Sequence, residues 1–169
     1  MDIKGKTIRP ETGGAYNIKE AEGVIRILQR LSVELGFEGS IGVTTPFHLQ
    51  ADMITKALER DSELRNHLEL HNQILIDTVH KFQGDERDVI IFSPVVSEGT
   101  KSQSLMFLKS TGNLFNVAIT RARSLLVTVG DKQYCKQCGV SYLEHFAEYS
   151  SGNEAPIEAS EWEHILQKA

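Results

Sequence analysis

The chain has 169 residues, of which 40% are hydrophobic and 24% charged, and its formal net charge is −5 at pH 7. This length and composition indicate one globular domain with a core of its own. No apolar run approaches the roughly 18 residues of a membrane span, and residues 1–6 contain no apolar signal segment, so a cytoplasmic location is the default expectation. The acidic balance counts mildly against an autonomous nucleic-acid binder, although a local basic patch or a partner domain could supply positive charge.

The first part of the chain predicts two helices on either side of a short strand. Asn17 suits an N-cap, with Glu20 three residues later as in a capping box, and apolar residues recur at helical spacing until Gly36 ends the helix. Residues 41–45 are apolar and β-branched, which favours a strand. Pro46 then fits the start of a second helix.

The second part of the chain predicts three more strands, at residues 74–79, 89–96 and 125–129. Each is a nearly continuous apolar run, which is typical of parallel strands buried on both faces. Residues 97–104 are polar and predict a loop. Helical segments between several of the strands therefore predict an α/β fold.

Two arginines close together precede the last predicted strand. Residues 116–123 read Asn-Val-Ala-Ile-Thr-Arg-Ala-Arg and predict a short helix that carries Arg121 and Arg123 to its C-terminal end. Arginine binds phosphate bidentately, and an arginine held on a rigid element can stabilise charge on a transferring phosphoryl group. The alternative is a pair of solvated arginines favoured by the helix dipole.

A second motif favours the phosphate interpretation. Residues 77–93 contain Thr-Val-x-x-Phe-Gln-Gly-x-Glu-x-Asp-Val-Ile, and together with residues 116–123 they resemble motifs V and VI of superfamily 1 helicases, closest to the Upf-like branch. Residues 41–50 resemble motif IV, and residues 16–21 resemble the start of the first long helix of that domain. The resemblance covers residues 10–135 and implies the second RecA-like domain. The expected fold is a P-loop NTPase-type three-layer α/β fold with a mostly parallel sheet.

The resemblance implies a set of residues that face ATP. Arg121 corresponds to the finger that reaches the γ-phosphate, whereas Arg123 is either a helper or an anchor for the helix. Gln83 would sense the phosphates across the cleft, and Gly84 would let the backbone approach the ligand. Glu86 matches the glutamate that accepts hydrogen bonds from the ribose hydroxyls, and its alternative is an ordinary solvated carboxylate.

The resemblance also suggests a nucleic-acid grip at the carboxyl ends of the strands, where ligands of open parallel sheets bind. The candidates are Thr45, Pro46, Phe47, Thr78, Val79 and His80. Hydroxyl and backbone N–H groups would position the phosphate backbone without reading sequence. A buried aromatic is the alternative for Phe47, and a structural role is the alternative for His80. Gln50 matches the motif IV glutamine, with a place on the helix surface as its alternative.

The sequence contains no Gly-x-x-x-x-Gly-Lys-Ser/Thr, so the chain lacks its own P-loop, and it has no Walker B-like acidic pair after a strand. ATP and Mg²⁺ are therefore expected to be held mainly by a first RecA-like domain, N-terminal in the same protein, and this domain alone should not hydrolyse ATP. We expect residues 1–149 to form the helicase domain and residues 150–169 a linker and the start of a further helix or truncated domain. Single-stranded nucleic acid is the other expected partner, with no membrane and no metal site of its own.

Two other functions stay open at this point. The chain could be a non-catalytic RecA-like interaction module, or a phosphate-binding metabolic α/β enzyme, although the latter lacks a glycine-rich phosphate loop. Cys135 and Cys138 form an isolated Cys-x-x-Cys, which predicts two ordinary reduced thiols rather than zinc or a disulfide. The choice between DNA and RNA is left open, and the Upf-like resemblance implies 5′ to 3′ movement.

Overall fold

The computed structural model describes residues 1–11, 13–82 and 85–152. Its centre is a sheet of four strands, β1 to β4 in chain order, with the bounds Ser40–Thr45, Gln73–Thr78, Arg87–Phe92 and Ala122–Thr128. The strands are all parallel and lie in the order β2-β1-β3-β4. This arrangement confirms the predicted α/β fold with a parallel sheet.

Helices cover both faces of the sheet. Seven α-helices, α1 to α7, have the bounds Ile18–Gln29, His48–Arg60, Ser62–His71, Ser102–Ser110, Gly112–Ile119, Lys132–Cys135 and Ser141–Gly152 within the described residues. A π-helical turn, Arg30–Glu34, extends α1, and a 3₁₀ turn, Val79–Phe82, follows β2. No helix of the described part of the chain is both long and apolar enough to cross a membrane.

Alternating side chains of β3 divide the core into two layers, as expected for a strand buried on both faces. Val89 and Ile91 point into a core formed with α1, α2 and α3. Phe92 lies in the core on the opposite face, which includes residues of α4, α5 and α7. The result is a three-layer sandwich in which the ends of the strands, rather than their faces, are open to ligands.

Parallel pairing gives the sheet two distinct edges that matter for the site. At the carboxyl edge, where the strands end, Thr45 of β1 lies opposite Thr78 of β2. At the amino edge, where the strands begin, Arg87 of β3 lies opposite Ala122 of β4. Loops at these two edges are separated by the length of a strand.

Most predicted elements are present, and the helix start at Asn17 is confirmed. The Asn17 Oδ1 atom accepts hydrogen bonds from the backbone N–H groups of Lys19 at 3.0 Å and Glu20 at 3.3 Å. The reciprocal half of a capping box does not form, because the Glu20 carboxylate turns into the protein interior instead. Pro46 precedes the second helix, whose N-cap is Phe47.

Several predicted boundaries are wrong for identifiable reasons. The third strand ends at Phe92 rather than at residue 96, because Pro94 has no N–H for the ladder and Val95 has a φ of 60°, outside the β region. The predicted loop 97–104 ends earlier, since α4 begins at Ser102. Helix α7 runs through residues 150–152, where a linker was predicted, and the rest of that segment, 153–169, lies outside the described residues.

Candidate functional site

The candidate residues lie at both edges of the sheet rather than along one rim. Thr45 and Thr78 end β1 and β2 and are neighbours at the carboxyl edge, as predicted. Glu86 and Arg121 instead precede β3 and β4, so they lie at the amino edge. Motif IV and the start of motif V therefore lie at the carboxyl edge, as predicted, whereas Glu86 and motif VI lie at the amino edge.

Motif V connects the two edges across a face of the sheet. The 3₁₀ turn Val79–Phe82 leaves β2 at the carboxyl edge, and the chain reaches the amino edge by Arg87, where β3 begins. The Phe82 ring is fully buried against Gly42 in the middle of β1, where a Cβ atom would lie 2.5 Å from that ring. A glycine at position 42 is what allows this close crossing. Gln83 and Gly84, the predicted phosphate sensor and glycine, lie outside the described residues.

Arg121 lies in the turn between α5 and β4, not on the predicted helix. Helix α5 ends at Ile119, and the Arg121 carbonyl accepts a hydrogen bond of 2.9 Å from the Arg87 N–H, so the backbone has already joined the sheet. The Thr120 hydroxyl donates to the Asn116 carbonyl at 2.8 Å and ends the helix. The arginine is thereby fixed between two rigid elements.

The Arg121 guanidinium is not committed to a carboxylate. Its Nη2 atom donates weakly to the Thr120 hydroxyl at 3.4 Å, and its Nε atom is buried without a hydrogen-bond partner in the described part of the chain. No carboxylate of the described residues forms an ion pair with it. A buried, unpartnered N–H is costly, so this group suits an anionic ligand.

Arg123 behaves differently from Arg121, although both belong to motif VI. It lies in β4, and its Nε atom is 3.4 Å from Oε2 of Glu86, while its Nη1 atom is 3.7 Å from Oδ1 of Asp88. The structure thus places Glu86 and the two arginines at the same edge of the sheet. Asp88, a residue of the motif V pattern with no predicted role, joins them.

Asp88 is anchored to the first residue of β1. Its Oδ2 atom accepts hydrogen bonds from the Ser40 N–H at 2.8 Å and from the Ser40 hydroxyl at 2.5 Å. Partial burial raises the pKa of Asp88, but the Ser40 hydrogen bonds and the charge of Arg123 outweigh it and hold the pKa below its ordinary value. Asp88 is therefore a fixed negative charge beside Arg123.

The side chains at the carboxyl edge are mostly buried. The exposed fraction is 0% for Thr45, 2% for Thr78, 4% for Phe47 and 3% for Val79. Of the two alternatives for Phe47, the structure has the buried aromatic, whose ring centroid lies 5.4 Å from that of Phe107. The side chains of these four residues are thus closed to a ligand in this conformation.

Two of the predicted grip residues are accessible. Pro46 is partly exposed and His80 is exposed, and both line a shallow cleft with Phe107 and Thr111. The Thr45 hydroxyl lies beneath this edge, buried and without a hydrogen-bond partner among the described residues. The accessible surface at the carboxyl edge therefore includes Pro46 and His80.

Gln50 is buried, so its predicted alternative as a helix-surface residue is wrong. Its Oε1 atom accepts a hydrogen bond from the Asn17 N–H at 2.8 Å, and its Nε2 atom donates to the Asn17 carbonyl at 3.2 Å and to the Ser93 hydroxyl at 3.0 Å. The side chain thus joins the start of α1 to the end of β3. The only hint in the sequence was its place in motif IV.

Glu20 completes this buried network. Its Oε2 atom accepts hydrogen bonds from the Ser93 hydroxyl at 2.7 Å and the Val95 N–H at 2.9 Å, and its Oε1 atom accepts one from Asn17 at 3.2 Å. Burial raises the pKa of Glu20 to about 8, although these three hydrogen bonds counteract it. The network holds Val95 in its unusual backbone conformation.

The two cysteines are free thiols in the structure, and Cys135 is buried. Burial raises the pKa of the Cys135 thiol well above its ordinary range, so it is not a reactive thiolate. Within the described residues, no group of three or more His, Cys, Asp or Glu side chains is arranged to hold a metal ion.

This three-layer α/β domain with an all-parallel sheet is similar to domains of known proteins. A family described as "AAA domain" matches residues 1–133. Helicase sen1 of Schizosaccharomyces pombe is 33% identical over 80% of the chain. DNA polymerase alpha-associated DNA helicase A of Saccharomyces cerevisiae is 36% identical over 83%, and Regulator of nonsense transcripts 1 of Dictyostelium discoideum is 35% identical over 77%.

The chain belongs to the superfamily 1 helicases, as a second RecA-like domain of the Upf-like branch. It spans 8%, 19% and 10% of the lengths of these three relatives, respectively. Most of each relative therefore lies outside the matched region.

Proposed function

We propose that this chain is the C-terminal half of an ATP-dependent helicase motor, in which it supplies the arginine finger and part of the nucleic-acid grip. In this proposal Arg121 is the finger, and Glu86 binds the ribose of the same nucleotide. The domain alone does not hydrolyse ATP, because it has no P-loop.

The environment of the Arg121 guanidinium is the main support for this proposal. A guanidinium that is always charged lies on a rigid turn with a buried, unpartnered Nε atom. An anionic phosphate oxygen would satisfy that atom and the charge together. A finger positioned in advance stabilises the charge that spreads over the transferring phosphoryl group without reorganising during the reaction.

The described residues fit the ribose and phosphate end of ATP but not its metal. Arg121 and Glu86 offer a cation and a hydrogen-bond acceptor at one edge. Mg²⁺, which neutralises phosphate charge when it is bound, would be held by the first RecA-like domain of the same protein, whose P-loop would also hold most of the ATP. Gln83 and Gly84 complete the proposed nucleotide contacts.

We further propose that single-stranded nucleic acid lies along the carboxyl edge. Pro46 and His80 are accessible there. Thr45 and Thr78 are buried, and the Thr78 N–H donates to Asp77, so these two residues would contact phosphates only if the edge opened. Contacts through Phe47 or Val79 side chains would require that edge to open. Motif V runs from this carboxyl edge to the amino edge, where Arg121 and Glu86 would contact ATP. Closure of the two domains around ATP would therefore move the nucleic-acid contacts together with the ATP contacts.

An alternative function is a non-catalytic RecA-like interaction module. The net charge of −5 favours it slightly, because phosphate-binding surfaces are usually basic. Arg121 disfavours it, since a scaffold has no need for a half-buried cation that forms no ion pair with any described carboxylate. We expect the protein to work in the cytoplasm.

The experiment is the nucleic-acid-stimulated ATPase activity of the full-length gene product, compared with Arg121→Ala. Arg65→Ala is the matched control, because Arg65 is an exposed arginine of α3 that belongs to none of the motifs and pairs with side chains of its own helix. We expect Arg121→Ala to lower kcat by about 10³-fold while Arg65→Ala leaves it unchanged. A native protein with no ATPase activity in any form would support the interaction module instead.

A further inference from the structure

We propose that Arg123 is a positioning residue, held by Asp88, that orients the Glu86 carboxylate toward the ribose hydroxyls of the nucleotide. The inference rests on the proposed function and deepens it. It separates the two arginines of motif VI into a finger, Arg121, and a support, Arg123.

Arg121 and Arg123 differ in the number of carboxylates that each contacts. Arg123 contacts two carboxylates through two different nitrogens, at 3.4 Å from Glu86 and 3.7 Å from Asp88. Arg121 contacts none in the described part of the chain. A guanidinium already shared by two carboxylates is poorly suited to phosphate, because a phosphate would have to displace them.

Asp88 and Arg123 are both held by the sheet. Asp88 is fixed by two hydrogen bonds from Ser40, at 2.8 and 2.5 Å, and the Asp88 N–H donates to the Ser40 hydroxyl at 2.9 Å. Arg123 lies on β4, which is paired with β3. A chain of contacts therefore runs from the first residue of β1 through Asp88 and Arg123 to Glu86.

The contacts from Ser40 through Asp88 and Arg123 hold one oxygen of the Glu86 carboxylate. Glu86 lies in the segment before β3, and its side chain is 52% exposed, so it has little packing to hold it. Arg123 contacts Oε2, and Oε1 has no hydrogen-bond partner among the described residues. Because Arg123 holds Oε2, the carboxylate is oriented and Oε1 is able to accept a hydrogen bond from a ribose hydroxyl. A supporting side chain commonly orients a ligand-binding carboxylate in this way.

The test uses the full-length gene product and a double-mutant cycle of Arg123→Gln and Glu86→Gln. We expect Glu86→Gln to raise KM for ATP about tenfold and Arg123→Gln about three- to tenfold, with kcat within about twofold of wild type. The double variant should be no worse than Glu86→Gln alone, because the two residues act as a unit. Arg65→Gln, which breaks a comparable exposed pair with Glu69, is the matched control.

The preference of the enzyme for ATP over its deoxyribose analogues distinguishes a positioning role of Arg123 from a purely structural one. We expect wild type to prefer ATP over 2′-deoxy-ATP or 3′-deoxy-ATP by about tenfold. Both single variants should lose that preference, and Arg123→Lys, which keeps one charged contact, should restore part of it. Unfolding midpoints of all variants should stay close to wild type.

Three results would overturn the inference. Additive effects in the double variant would show that Arg123 acts independently of Glu86. A collapse of kcat in Arg123→Gln with the ribose preference intact would make Arg123 a phosphate ligand. A wild-type protein that neither binds nor hydrolyses ATP would refute the proposed function, and the inference with it.

Discussion

Replacement of Glu20 by glutamine should change how the stability of the domain depends on pH. The carboxyl group is fully buried, and burial raises its pKa from 4.5 to about 8. The folded protein therefore keeps a proton that the unfolded chain releases at lower pH. Stability contributed by this proton is complete below about pH 4.5 and is lost progressively as the pH rises to about 8.

The size of the effect follows from that interval. At about 1.4 kcal/mol for each pH unit, the interval from 4.5 to about 8 corresponds to an upper limit on the order of 5 kcal/mol. Glutamine has nearly the same shape and cannot ionise. We expect Glu20→Gln to be less stable than wild type by about 1 kcal/mol at acidic pH, because its amide satisfies the network imperfectly, and to become the more stable of the two as the pH rises.

The assay is urea denaturation of both proteins at intervals between pH 5 and 9, since the difference between them cancels the titration of all other groups. A difference in unfolding free energy that stays constant over this range would refute the reasoning, because it would mean that Glu20 ionises without cost in the folded state. Asn17→Ala serves as a control, because it weakens the same network without removing the ionisable group.

Three more predictions concern packing and buried polar groups, each checked by urea denaturation. Gly42→Ala should destabilise the domain by about 1–3 kcal/mol, because its Cβ atom would lie 2.5 Å from Phe82, and an unchanged stability would contradict this crossing. Gln50→Leu should cost about 2–3 kcal/mol, since it leaves the buried Asn17 N–H without its hydrogen-bond partner, whereas a neutral effect would mean that the network is dispensable. Thr45→Val should be neutral or stabilising, because it removes a buried hydroxyl that has no hydrogen-bond partner among the described residues, while a parallel loss of nucleic-acid affinity in filter binding would show that the hydroxyl serves the grip.

The fold was largely predictable because its strands are continuous apolar runs separated by helical periodicity. Such runs are specific for buried parallel strands, and the four observed strands follow them to within a few residues, apart from the end of the third. Predictions failed where the backbone departs from local preference. The run 89–96 was apolar throughout, but Pro94 and the left-handed Val95 end the strand at Phe92, and the hydrogen bond that holds Val95 comes from distant Glu20.

The sequence predicted individual candidate residues of the site but not their arrangement in space. Motif resemblance identified Arg121 and Glu86 as candidates, but it did not show that they lie at the opposite edge from Thr45 and Thr78, since that depends on where each residue sits relative to the strand beside it. The pairing of Arg123 with Asp88 was also invisible. It joins residues that are far apart in the sequence and becomes visible only when β3 and β4 are paired.

In the proposed function, the Arg121 guanidinium acts on the transferring phosphoryl group rather than on folding or on nucleotide binding. The most direct measurement is single-turnover hydrolysis of ATP by the full-length protein with nucleic acid present, beside equilibrium binding of ATP, for wild type and Arg121→Ala. For Arg121→Ala we expect the hydrolysis rate constant to fall by about 10³-fold while the dissociation constant for ATP changes only a few-fold. A rate constant within about tenfold of wild type, or a loss explained entirely by weaker binding, would contradict it.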